Sequence, residues 1–300
     1  MFRTESFEQG LAPKDTLNDG LSGALIGVSV VNFALNLPGP LAAQRLSQLG
    51  AEVTKVEPPS GDDFAHYARD WYATMCSGHE VVQLDLKSQQ GKDAAEELLT
   101  GADVAITSFR PSALERMGLG NLAERFPGLI HIDIVGDVDS PETPGHDLTY
   151  QAQAGTLAPP AMPPVLLGDI LGAEHAVTAT LAALVRRGGR GVVKRGEGEG
   201  AGAHIRVGLK QAGEAGALPV RYGLTSTGGL LGGGHWTYGI YGTADGYVAV
   251  AALEPHFAKA LSQATGATGR EELESYLARR TTDEITALAQ ETGLPISAVR

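Results

Sequence analysis

Short β-rich runs alternate with amphipathic helical segments through the first half of the chain, and that alternation constrains the fold more than any other feature. "ALIGVSVVNF" (24–33), "AEVTKVEPP" (51–59), "EVVQLDLK" (80–87), "ADVAITSF" (102–109) and "GLIHIDIV" (128–135) read as strands. "GPLAAQRLSQLG" (39–50) reads as a helix, with Pro40 in its first turn and Gly50 at its C-terminal end. "GKDAAEELLTG" (91–101) reads as another. Strands spaced by amphipathic helices imply a doubly wound parallel sheet of Rossmann-like α/β architecture.

Further along, "DILGAEHAVTATLAALVRR" predicts a long helix from Asp169 to Arg187. Leu171, His175, Thr178, Leu181, Ala182 and Val185 recur in it at helical spacing. Asp169 at its start and the arginines at its end suit the helix dipole. "GGRGVVKRGEGEGAGA" (188–203) reads as a mobile glycine-rich loop and "HIRVGLKQAG" (204–213) as one more strand. The texture changes at "STGGLLGGGHWTYG" (226–239), so a large domain over 1–225 and a small α+β domain over 226–300 are expected. The small domain should hold a hairpin turned by Asp245-Gly246 and three helices: after Pro255, around "REELESYLARR" and around "TTDEITALAQETG".

Composition limits the function classes. A net charge of −12 argues against nucleic acid and anionic membrane surfaces, but not against a phosphorylated small ligand, which needs only a few local cations and backbone N–H groups. The single cysteine, Cys76, rules out a disulfide framework and a cysteine-based zinc site, as suits a reducing cytoplasm. "MFRTESFEQG" lacks the apolar stretch of a signal peptide, and the early apolar run is broken by Gly, Ser, Asn and Pro, so no membrane span is expected. Only Gly39 stands near the turn after the first strand, which is a weak basis for dinucleotide binding. There is no P-loop, G-x-S-x-G or HExxH, and "GGGHW" reads as a linker rather than a lid or phosphate nest.

Three ionisable residues stand out: His146 in "PGHDLTY", Asp169 in "LLGDILG" and Glu254 in "VAVAALEPHF". Singly, each fits a plain helix-start or capping role, the commoner one for such residues. The combination is more specific. "LPGPLAAQRLSQLGAEVTKVEPPSGD", "LDLKSQQG", "ADVAITSFRPSALERMGLG", "GHDLTYQAQAG", "LLGDILGAEHAVTATLAAL" and "YGTADGYVAVAALEPHF" together resemble the family III CoA-transferase superfamily, from about residue 21 onward. Within it they resemble the α-methylacyl-CoA racemase branch.

The resemblance implies an acyl-CoA as the small-molecule substrate, with no separate cofactor, CoA being part of the substrate, and no metal, nicotinamide or flavin. Transferases of the superfamily use the aspartate matching Asp169 as a nucleophile that carries an acyl anhydride. Racemases add the histidine of "GHD" and the glutamate of "EP", here His146 and Glu254. Proton transfer at the α-carbon of a thioester needs a base on one face and an acid on the other. His146 and Asp169 are expected to exchange these roles, Glu254 to orient the imidazole, and the start of the long helix to favour the enolate oxygen.

By the same resemblance, Lys55 lies near the nucleotide, Leu84, Asp85, Leu86 and Lys87 border the adenosine, and Ser108, Phe109, Arg110 and Arg116 belong to the "RP" region. Gly145 to Tyr150, including Asp147, would line the thioester end. Without the family pattern, Lys87, Arg110 and Arg116 would read as solvated surface charges. Two alternatives stay open: a CoA-transferase acting through Asp169, and a non-catalytic CoA-binding paralogue.

The pattern departs from the family in places. Gly78 and His79 stand where Asn and a basic residue are usual, which puts a CoA phosphate contact in doubt. Ser112 replaces a glycine, the 135–147 loop is short, and "VVKRGEGEGAG" interrupts the region after the long helix. Family chains continue past the equivalent of "LPISAVR", their tail returning to the large domain while two chains interlock. A truncated or short C-terminus and a cytoplasmic homodimer are the corresponding expectations.

Overall fold

The computed structural model of the protein describes residues 18–188 and 202–299. The chain divides into two compact units, 1–216 and 217–300, somewhat before the boundary expected near residue 225. The glycine-rich run at 226–239 lies inside the second unit, so the change in composition falls after the structural boundary.

The first unit is built on six parallel strands: β1 (Ser29–Asn32), β2 (Glu52–Glu57), β3 (Glu80–Gln83), β4 (Val104–Thr107), β5 (Ile130–Val135) and β6 (Ala203–Gly208). Their order is β3-β2-β1-β4-β5-β6. The helices that concern the site are α1 (Pro38–Gln48), α2 (Gln89–Gly101), α3 (Pro111–Arg116), α4 (Asp147–Ala154), α5 (Leu167–Gly188) and α6 (Leu209–Gly216).

Alternate residues of the strands feed two apolar layers, because side chains of a strand point to opposite faces. Val30, Val104, Ile106, Ile130, Ile132 and Ile134 pack with α1 and α5 on one face. Val31, Val56 and Ala105 pack with Ala95 and Leu99 of α2 on the other. Both faces being covered explains why β4 and β5 are buried along their whole length. Strand order reverses between β1 and β4, and in open parallel sheets this is where a crevice opens at the carboxyl ends of the strands.

Three expectations need correction. The long helix begins at Leu167, so Asp169 sits within its first turn rather than at its cap. Its buried face is not the Leu171–His175–Thr178 side but a stripe of small residues, including Gly172, Ala173, Ala176, Thr180 and Ala183. Small side chains let the helix axis approach α1 and the sheet closely, so they take the inner face while larger ones such as Val185 are exposed. The segment 204–213 is only half strand: β6 ends at Gly208 and α6 begins at Leu209. The glycine-rich loop expected over 188–203 falls almost entirely outside the described residues.

The second unit pairs β7 (Tyr238–Gly242) and β8 (Tyr247–Ala251) as an antiparallel hairpin, with β9 (Ile296–Ala298) added on the other side of β8. A Thr243 N–H to Gly246 carbonyl bond of 2.9 Å closes the turn containing Asp245-Gly246. Helices α7 (Pro255–Thr265), α8 (Arg270–Leu277) and α9 (Thr282–Thr292) match the three expected segments. They close a separate core over Val248, Val250, Leu261, Leu273, Leu277 and Ile285. The "GGGHW" region is folded back by backbone bonds such as Leu231 N–H to Leu224 C=O (2.9 Å). No helix among the described residues is long and apolar enough to cross a membrane.

Candidate active site

A cleft of about 380 Å³ opens in the first unit at the carboxyl ends of β1, β4 and β5. Its walls come from three loops, after β1 (Leu35–Pro38), after β4 (Ser108–Arg110) and after β5 (Gly136–His146), with Asp169 at the start of α5. The cleft therefore sits at the reversal of strand order, where the topology places it.

His146 occupies the N-cap of α4 and is exposed. Its N–H donates to Thr149 Oγ1 (3.1 Å) and its carbonyl accepts from Thr149 N–H (2.8 Å) and Oγ1 (2.7 Å). These bonds run through the backbone and set the start of the helix. The glycine before it has a specific cause. A Cβ on Gly145 would lie 2.6 Å from the Tyr150 hydroxyl, and one on Gly136 would lie 2.3 Å from it. Both glycines make room for a phenol that is itself buried and reaches the cleft.

Asp169 is half-buried. Burial, then the nearby charge of Asp147, pushes its carboxyl up to about 7. An aspartic acid that titrates near neutrality can donate and accept a proton at working pH. Two phenols that share the cleft with it, Tyr67 and Tyr150, are each held above the usual range by burial first and by the Asp169 charge among others.

Asp147 does not line the cleft. It is buried beneath α5, where Oδ1 accepts from the N–H groups of Gly168 (2.6 Å) and Asp169 (3.2 Å). The expectation that it lines the thioester end is corrected for its side chain, which caps α5 from α4. The expectation that the start of α5 favours an enolate oxygen is corrected too, since these two N–H groups are already taken.

Lys55 is likewise corrected as a nucleotide cation. Its side chain is 0% exposed, and Nζ donates to Asp62 (2.8 Å) and to the Ala34 carbonyl (3.2 Å), with Glu57 at 3.5 Å. Its charge holds the cleft from behind. Asp62 accepts from Asn36 N–H at 3.1 Å and from Phe64 N–H at 3.0 Å, and both residues line the cleft. Asn36 adopts φ of 64°, a left-handed conformation that asparagine tolerates better than most residues. His79 is no substitute cation: burial, then the Lys55 charge, lowers its imidazole to about 4.

Arg110 is exposed and is the one lysine or arginine among the described residues lining the cleft, alongside Ser108 and Phe109. Arg116 is exposed at the end of α3, outside the cleft lining. Leu84 and Leu86 are half-buried, packing with Phe109 against the second apolar layer, while Asp85 and Lys87 are exposed. This segment follows β3 and does not line the cleft. Glu254 is exposed at the N-cap of α7 in the second unit and makes no side-chain capping bond. Its role in orienting the imidazole rests on the resemblance alone.

The cleft wall formed by residues 136–146 is pinned near both ends. Asp137 accepts from Lys210 Nζ (2.7 Å) and Gln211 Nε2 (2.6 Å), and the Lys210 bond leads the causes that lower its carboxyl to about 2. Glu142 accepts from Ser112 N–H (2.8 Å) and Oγ (2.9 Å). Ser112, noted as a departure from the family glycine, thus has a use: its hydroxyl ties α3 to the wall that carries His146. Among the described residues no group of His, Cys, Asp and Glu is arranged to hold a metal ion.

Sequence reasoning missed Asn36, Phe64, Tyr67, Leu166 and Leu209 as lining residues. Asn36 had a local signal, an asparagine beside "LPGP". The others reach the cleft only through tertiary packing.

The chain is similar to known proteins in both sequence and fold. The chain is 30% identical over 210 residues to a formyl-CoA:oxalate CoA-transferase of Streptomyces avermitilis, covering 64% of this chain and 49% of that one. It is 33% identical over 189 residues to the "Probable fatty acyl-CoA transferase Rv3272" of Mycobacterium tuberculosis, covering 56% and 48%. It thus spans about half the length of these relatives. The crystal structure of Rv3272 superposes with a TM-score of 0.76 at 28% identity, over 92% of this chain and 84% of that one. The profile of CoA-transferase family III matches residues 25–300, and the chain belongs to that family.

Proposed function

We propose that the protein is an acyl-CoA racemase, or epimerase, that moves a proton at the α-carbon of a 2-methylacyl-CoA thioester. The observation that supports this most is one cleft lined by both an imidazole, His146, and a carboxyl raised to about 7, Asp169. In the forward step one of the pair takes the α-proton, and the electrons of the C–H bond move onto the thioester oxygen as an enolate. The other then delivers a proton to the opposite face of the α-carbon, and the carbonyl re-forms. In the reverse step the roles exchange, so no redox partner or second substrate is consumed. The N-terminus of α4, at His146, brings the positive end of a helix dipole to the cleft, suited to the developing oxyanion. Arg110 is suited to an anionic group of CoA.

A second reading, CoA transfer through an Asp169 acyl anhydride, is favoured by the names of the relatives, which are transferases. That step needs Asp169 ionised throughout as a nucleophile, whereas a carboxyl raised to about 7 is ionised only in part near neutral pH. The two readings separate in one experiment on the full chain. A single isomer of a 2-methylacyl-CoA is incubated in D2O, with a parallel hydroxylamine quench. Deuterium at the α-carbon together with the opposite isomer, and no hydroxamate on Asp169, is the expected result. A hydroxamate without exchange would replace this reading with the transferase. Tight CoA binding with neither product would mark a non-catalytic binding protein. A cytoplasmic homodimer belongs to the same proposal, and sedimentation of the full chain tests its dimeric part.

A further inference from the structure

Asp147 follows His146 in sequence, yet its side chain is buried against the start of α5 and does not line the cleft. Its Oδ1 accepts from the peptide N–H groups of Gly168 (2.6 Å) and Asp169 (3.2 Å), and its Oδ2 accepts from Gln151 Nε2 (2.6 Å). Gln151 also donates to the Val165 carbonyl (2.7 Å), just before α5, and its Oε1 accepts from Thr156 Oγ1 (3.2 Å). Asp147 and Gln151 are 4% and 3% exposed. Gly168 and Asp169 lie in the first turn of α5, where peptide N–H groups have no partner within the helix. A buried carboxylate that meets only N–H donors is bound there as an anion, because its ionised form is a pure acceptor.

We propose that Asp147 is a positioning residue for the proton transfer: its carboxylate clasps the first turn of α5 to the first turn of α4 and so holds Asp169 in register with His146. The inference rests on the proton-transfer reading for its purpose. The same carboxylate is a negative charge beside the Asp169 carboxyl, which burial first and then this charge push upward. The other titratable or charged groups around Asp169 are Tyr150 of α4, His146 at its start, Tyr67 of the Phe64–Tyr67 turn, and Arg110 across the cleft. Neither phenol titrates near neutrality, and Arg110 and His146 are exposed to water that screens them. Asp147 is therefore the charge whose removal Asp169 should feel most.

The test titrates the Asp169 carboxyl carbon by NMR in the full chain labelled with [13C]aspartate, the resonance being assigned with Asp169→Asn. In Asp147→Asn an amide oxygen can still accept from the Gly168 and Asp169 N–H groups, but the charge is gone. The Asp169 midpoint should fall by roughly half a unit or more, as expected on losing a close like charge. For the isomer whose α-proton Asp169 takes, the acidic limb of the exchange rate against pH should move down with it. A purely structural bond would leave the midpoint in place, and an unchanged midpoint overturns the proposal. A second measurement needs no variant: the Gly168 and Asp169 amide protons should exchange with solvent far more slowly than exposed chain. Exchange at the open-chain rate would overturn the clasp even if Asp147→Asn does not fold. The titration requires no substrate, so the two ideas fail separately. A shifted midpoint in a protein that never exchanges an α-proton sinks the reaction and keeps the clasp. An unshifted midpoint in an active racemase leaves the Asp147 bonds merely structural and sinks the positioning role alone.

Discussion

At the start of α4 the proposed acid/base side chain, His146, is exposed on a loop-side N-cap, whereas at the start of α5 its proposed counterpart, Asp169, is half-buried within the first helical turn. The two carboxylates nearby sharpen the contrast. Asp147 receives three N–H donors, while no side-chain hydrogen bond to the Asp169 carboxyl is found among the described residues. One residue type thus does two jobs, decided by donors and burial. On the proposed reading, the satisfied carboxylate holds the frame and the unsatisfied one exchanges protons. A similar division separates Lys55, whose charge is spent inside the domain, from Arg110, whose charge faces the cleft.

Each contrast can be broken by substitution. The largest effect is expected at the proposed acid/base pair: Asp169→Ala or His146→Ala should each lower α-exchange by about 10²–10⁴-fold from the isomer whose α-proton that residue takes, the usual worth of a general acid or base. A loss below tenfold in a folded variant would remove that residue from the chemistry. Next come the two cations. Lys55→Met leaves Asp62 and Glu57 buried without their partner and should cost about 3–5 kcal/mol in urea unfolding. Arg110→Met, at an exposed position, should cost less than about 1 kcal/mol while raising the KM for acyl-CoA. Equal costs at the two sites would erase the distinction between them.

Gly145→Ala should cost about 1–3 kcal/mol through collision with the buried Tyr150 ring, and should lower exchange by displacing His146. Activity restored by Tyr150→Leu in that background would identify the Tyr150 ring as the obstacle. The last effect is a gain. Because the Asp169 carboxyl is raised from 3.8 to about 7, the folded protein holds a proton that the unfolded chain has released, and stability drains away as pH rises through that window. Asp169→Asn should therefore stabilise the protein by about 1–2 kcal/mol above neutrality, after allowance for partial exposure, with the gain shrinking to nothing as pH falls toward the ordinary carboxylate range. A gain independent of pH would mean that Asp169 is not the group responsible.

Much of this was legible in the chain because it is local. The helix over 38–48 is marked by its prolines and by Gly50, whose φ of 103° few other residues tolerate. Strands β4 and β5 announce themselves as continuous apolar runs because both faces of the sheet are covered. What escaped is set by distance. The cap of α5 is an aspartate 21 residues upstream of Gly168, so a local reading assigned capping to Asp169. The inner face of α5 is made of glycine, alanine and threonine, which a hydrophobic pattern passes over in favour of the bulkier exposed side. Strand β9 is three residues long and exists because β8 offers it an edge. For the site, the types and order of His146 and Asp169 carried the expectation. The partners of Lys55 could not be read, because Asp62 and the Ala34 carbonyl meet it only in the folded sheet.

The central claim is that His146 and Asp169 serve opposite faces of one α-carbon, and isomer-resolved exchange tests it most directly. (R)- and (S)-2-methylacyl-CoA are incubated separately in D2O with the wild-type chain, with His146→Gln and with Asp169→Asn, and α-deuterium is followed by NMR. The account predicts exchange from both isomers with the wild type, and loss of exchange from opposite isomers in the two variants. Loss from the same isomer in both variants, or no exchange at all with the wild type, would contradict it.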